Sequence, residues 1–151
     1  PAAPKSSVAL VPHDQLAALL PAIDGWQRGE ISSGSISLPA PATNATTAYT
    51  REKARVDLEI TDTGGATEHV EALTKIAGSD FTQQASNGYM KGTTLAGFPA
   101  VESWNHVDHL GDITLLINQR YVIHANATGL DKIETLRELI QKVPTTFAAK
   151  R

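Results

Sequence analysis

The sequence predicts an α+β domain: a mainly antiparallel sheet of five to seven strands with about three helices packed on one face. Three observations lead there. Ala54 to Thr61 alternates without a break, setting Ala54, Val56, Leu58 and Ile60 against Arg55, Asp57, Glu59 and Thr61. That is the period-two pattern of a strand with one buried and one wet face. Asp112 to Val143 reads as two apolar-rich runs around a polar turn at Asn118-Gln119-Arg120, then an amphipathic helix that Pro144 stops. Finally, strands do not alternate with helices in the manner that builds parallel sheets.

The 151 residues suit a single domain, divided into a flexible N-terminal arm, 1–11, and one α+β body, 12–151. The arm carries two prolines and no periodicity. After Pro12, HDQLAALL forms a two-turn helix with Leu16, Leu19 and Leu20 on one side and Asp14 in the first turn, ended by Pro21. Ile36 and Leu38 alternate with serine as a short or edge strand. Thr46 to Thr50 and Ala54 to Thr61 form a hairpin around Arg51-Glu52-Lys53. Val70, Leu73, Ile76 and Ala77 recur at helical spacing, with Gly78 at the C′ position. Asn87-Gly88 signals a hairpin, and Pro99 is tolerated at the start of the strand running to Val107. In the last hairpin a two-residue turn would place Ile113, Leu115 and Ile117 on one face with Val122 and His124. The closing helix presents Ile133, Leu136, Ile140 and Val143. The expected core is therefore Val56, Leu58, Ile60, Leu115, Ile117, Val122, Ile133, Leu136 and Ile140, with Trp26, Tyr89, Phe98, Trp104 and Tyr121 as aromatic anchors.

Composition narrows function. The 13 basic and 16 acidic residues leave a net charge of −3, and the basic residues are scattered, which argues against nucleic-acid binding. No apolar run approaches the ~18–20 residues of a transmembrane helix. Cysteine is absent, which excludes disulfides, thiolate metal sites and a cysteine nucleophile. The opening PAAPKSSVA is what a removed leader, or a simple trimming of the chain, leaves behind; the expectation favours an exported, periplasmic protein, with a lipid-anchored tether as one form of it. Two N-x-T triplets, at Asn44 and Asn126, matter only in a secreted eukaryotic protein.

Few residues carry chemistry. His106 and His109, with Asp108 between them and Asp112 just beyond, could join His124 in holding zinc or a similar ion. Against this, His109 belongs to an exposed turn while His124 should face inward, half-buried, neutral and hydrogen-bonded. No serine occupies a nucleophile elbow and no glycine run has phosphate-loop spacing, so no catalytic residue and no cofactor is expected.

The phrases LLPAIDGWQRGE, TTAYTREKARVDLEITDTGG and ITLLINQRYVIHANATGLDKIETL resemble a family of small exported bacterial proteins and lipoproteins, largely uncharacterised. The likeness runs from about Leu16 to Val143 and implies fold and location, with no catalytic residue to carry over. The chain departs from that pattern at His124 and Ala125, and in its His106–His109 pair. Its order of elements is also similar to the sandwich of the extrinsic photosystem II subunit family, an analogy of architecture alone. The functional expectation is a non-enzymatic exported domain in the cell envelope that binds a protein partner or a small apolar ligand. The alternatives are a metal-binding protein using the histidines, and a hydrolase with an unrecognised acid–base pair.

Overall fold

The structure, a computed structural model, describes residues 9–37 and 40–145, with the backbone alone at 67–69. Among the described residues three helices, α1 (His13–Ala17), α2 (Thr67–Ile76) and α3 (Ile133–Ile140), accompany nine strands. The strands are β1 (Gln27–Arg28), β2 (Ser32–Ile36), β3 (Ala42–Arg51), β4 (Ala54–Asp62), β5 (Thr82–Ala85), β6 (Gly88–Leu95), β7 (Phe98–Asn105), β8 (Leu110–Ile117) and β9 (Tyr121–Thr128). They form one antiparallel sheet in the order β1-β3-β4-β9-β8-β7-β6-β5, with β2 also on β3. The class is as expected, but nine strands replace the expected five to seven. The surplus lies at the edges, where β1, β2 and β5 are short and polar. They bury little: β2 shows only the alternation around Ile36, β5 only the Asn87-Gly88 turn after it, and β1 no apolar residue at all.

The main core lies between the sheet and the helices α1 and α3. Val56, Leu58 and Ile60 of β4, Ile113, Leu115 and Ile117 of β8, and Ile123 and Ala125 of β9 meet Leu16, Leu20, Ile133, Leu136 and Ile140 there. Helix α3 seats directly on Gly111, where an added Cβ would come within 3.1 Å of Leu136 and 3.2 Å of Ile133. Helix α1 is shorter than its sequence suggests, though Leu16 and Leu20 are buried.

Two expectations about faces fail. The helices do not all lie on one side. The end of α2 crosses Gly92, where a Cβ would strike the Ile76 carbonyl at 2.1 Å, and Gly92 lies opposite the α3 face by strand alternation. Leu116, on α2's side, is buried, as is Val70 of α2. The last hairpin is also out of the expected register. Its turn has three residues, with Ile117 opposite Tyr121 and with Asn118 and Gln119 both at φ 57°. One extra residue exchanges the faces of the following strand. Tyr121, Ile123, Ala125 and Ala127 enter the core, and Val122 and His124 turn to the opposite side.

The first turn of the domain is tied down by a buried clasp. Arg120 donates to both oxygens of Asp62, at 2.7 and 2.8 Å, with the two side chains 7% and 0% exposed. Asp62 also accepts from the backbone of Val11 and Gly64, and Arg120 donates to the Ala9 carbonyl. Burial works to raise the Asp62 carboxyl, but the bonds from Arg120, Val11 and Gly64 overcome it and lower its pKa. Of the expected arm, residues 1–8 lie outside the described residues, whereas 9–11 run against the sheet. There Thr43 donates to the Val11 carbonyl at 2.6 Å.

Candidate open-face binding site

Among the described residues, no helix beyond α2 covers the face of the sheet opposite α3. Strand alternation puts Asn44, Thr46 and Ala48 of β3 there, with Arg55, Asp57 and Glu59 of β4, His124 and Asn126 of β9, and Asp112 and Thr114 of β8. All of these remain exposed or half-buried. Register sets the contacts. Asp112 lies directly opposite Asn126, and His124 lies diagonally from Asp112.

Asp112 is the centre of this surface. Its Oδ2 bonds to His124 Nε2 at 2.7 Å and accepts from Asn126 Nδ2 at 3.1 Å. The Asp112 bond raises the His124 pKa, burial opposes it, and the charges of Asp112 and Glu59 add to the rise. Sequence reasoning placed His124 inward and neutral. It is instead on the open side, 39% exposed, and held toward its charged form, though hydrogen-bonded as expected.

Three adjoining hollows mark this face. The first, of about 280 Å³, has Ala85, Met90 and Leu110 in its wall, with Asn105, Ser103, Asp112 and Asn126 among its polar groups. Met90 and Leu110 are among the exposed large apolar residues. The second, of about 330 Å³, is polar, with Glu30, Arg55, Asp57, Glu59 and His124 lining it. Asn126 lines both. A third, of about 240 Å³, continues past Glu59 toward Ile36 and Val122.

The three candidate metal ligands are not brought together. His106 Nε2 lies 3.2 Å from the Ser86 carbonyl in the β5–β6 turn. His109, at φ 59°, meets the Leu130 carbonyl through Nδ1 at 2.8 Å, ahead of α3. His124 faces Asp112. Among the described residues no group of three or more His, Cys, Asp or Glu is arranged to hold a metal ion. Both N-x-T asparagines lie in interior strands, with Asn44 donating to Glu59 and Asn126 to Asp112.

A second polar network lies on the helix side. Glu102, 3% exposed, takes two bonds from Arg137 of α3 at 2.7 and 2.6 Å and one from the Tyr89 hydroxyl at 2.5 Å. Burial and the bond to Glu102 push Tyr89 up to about 12. This network anchors α3 to β7 and β6. Asp112 and Asn126 escaped the sequence reading as a pair because only the three-residue turn makes them partners.

No family model matches the chain, and no curated protein matches it. Among solved structures, the extracellular domain of PknH from Mycobacterium tuberculosis aligns over 96% of this chain and 100% of its own, with a TM-score of 0.55 at 11% identity. A GTP-binding regulator from Thermotoga maritima aligns over 90% of this chain and 87% of its own, with a TM-score of 0.42 at 10% identity. The first likeness is one of fold.

Proposed function

We propose that this chain is a non-enzymatic, exported binding domain whose open sheet face takes a small, largely apolar ligand. One observation carries the reading: a hollow walled by exposed Ala85, Met90 and Leu110 holds a few polar groups among them, including Asn105, Ser103, Asp112 and Asn126. Small-molecule sites have that composition, an apolar wall with a few placed polar groups that fix orientation. A concave wall favours a small ligand over a flat protein surface. Export draws support from the resemblance to small exported bacterial proteins and from a fold shared with a domain described as extracellular. No helix among the described residues is long and apolar enough to cross a membrane.

The test is an amide-shift titration with small apolar probes. Binding should move signals at Ala85, Met90, Leu110 and Asp112, and Leu110→Glu should abolish the response. A protein that shows no shifts at millimolar probe is not a binder of this kind.

A second reading has a specific observation behind it. Asp112 orients His124 as a carboxylate orients a general acid or base, so the hydrolase alternative gains the acid–base pair that the sequence did not display. Turnover of ester or phosphoester substrates, lost in His124→Gln, would replace the binding reading with that one.

A further inference from the structure

We propose that Asp112 is the recognition group for a ligand with an apolar body and a positively charged amine end, and that His124 competes with that amine for the carboxylate. The proposal rests on the first hollow being the ligand site. Among the described residues lining that hollow, Asp112 is the one carboxylate, and no lysine, arginine or histidine lines it. A carboxylate in a largely apolar wall attracts an ammonium more strongly than in bulk water, because the surroundings screen it less. It favours an alcohol less and repels a second carboxylate.

His124 reaches the same carboxylate from the other side. It lines the second hollow and not the first, and its Nε2 lies 2.7 Å from Asp112 Oδ2. The carboxylate charge that would attract an ammonium is therefore the one that a protonated imidazole already neutralises. A neutral His124 leaves that charge to the ligand. Protonation of His124 and binding of the amine oppose each other, and by linkage each weakens the other by the same factor.

The groups facing His124 are Asp112 of β8 and Glu59 of β4, with Arg55 and Asp57 of β4 and Glu30 between β1 and β2 lining the same hollow. Acids and arginine as residue types titrate well away from the interval between about pH 5.5 and about pH 8.5, and an alkylammonium stays charged throughout it. Histidine is the type that changes charge there. The sign follows. A His124 pKa raised by its bond to Asp112 keeps the competitor charged on the acid side, so amine affinity rises as pH climbs through that value and levels off above it.

The experiment titrates the whole chain with phenylbutylamine, phenylbutanol and phenylbutyrate, which share one apolar body, and follows amide shifts at about pH 5.5 and about pH 8.5. The same spectra report whether each variant is folded. The amine should bind at least ~5-fold tighter at the higher pH, while the alcohol changes less than ~2-fold. His124→Gln should remove the pH dependence and keep the preference for the amine. Asp112→Asn should remove the preference for the amine over the alcohol. Three probes binding alike at both pH values would discard charge selection and leave the apolar ligand site standing. An amine preference that ignores pH would remove His124 as competitor. No binding of any probe to the folded protein would remove both the selection and the site.

Discussion

Asp62–Arg120 and Asp112–His124 are both carboxylate–cation pairs held at 2.7 Å in the same block of strands. They differ in what surrounds them. The first is buried at 0% and 7% exposure, and its acid accepts two backbone N–H groups besides the guanidinium. The second is more than one-third exposed on both partners, bonds through a single carboxylate oxygen and faces two hollows. A guanidinium stays charged at every accessible pH, whereas an imidazole does not. One pair fixes the chain's path; the other is free to change partner.

The contrast can be broken at its strong end first. Arg120→Ala leaves a buried carboxylate without its main partner and should destabilise by about 3–5 kcal/mol. A loss of less than 1 kcal/mol in denaturant melts, roughly what exposed pairs give, would mean the two pairs are energetically alike. Leu58→Ala or Ile140→Ala, each at 1% exposure, should cost about 2–5 kcal/mol through the lost contacts and the cavity. Both lie on the helix side, where packing rather than charge sets the scale.

At the weak end, Asp112→Asn should change stability by no more than about 1 kcal/mol. The two pairs should also fail at opposite ends of the pH scale. The lowered Asp62 pKa gives stability that is present above the ordinary carboxyl value and lost as pH falls through the folded one. The raised His124 pKa gives stability that is present below the ordinary histidine value and lost as pH rises through the folded one. Melts across pH should show the alkaline decline vanish in Asp112→Asn and the acid decline persist. The smallest effect is at the terminus. Removing residues 1–7 should leave the melting temperature unchanged, whereas removal through Val11 should lower it, since Val11 bonds Asp62 and Thr43.

These outcomes also show where the sequence was readable. Ala54–Thr61 was clear because its side chains alternate between core and water, and its face assignments hold in full. Val122 and His124 were misplaced because Asn118-Gln119-Arg120 allows a turn of either two or three residues. Only the pairing of Ile117 with Tyr121 decides between them. The edge strand β1, Gln27–Arg28, has no apolar residue and so leaves no pattern to count. Arg120 read as a polar turn residue, and nothing local to it announces a carboxylate on β4. The α+β class, the core of β4, β8 and α3, and the hydrogen-bonded state of His124 were therefore within reach. The Asp112 centre was not, because it exists only once the register is known.

The sheet order has a kinetic side. Strands β5 to β9 form one meander and β2 to β4 another, each built by pairing neighbours along the chain, and the two meet only where β4 pairs with β9. Local hairpins can form early, but that seam must close a long loop before its contacts repay the entropy. Asp62 and Tyr121 are opposite each other at one end of the seam, so the clasp from Arg120 locks at the moment the halves join. Folding should be limited by this single joining step, and stopped-flow refolding of Arg120→Ala should reveal whether the lock closes before the barrier, slowing folding, or after it, hastening only unfolding.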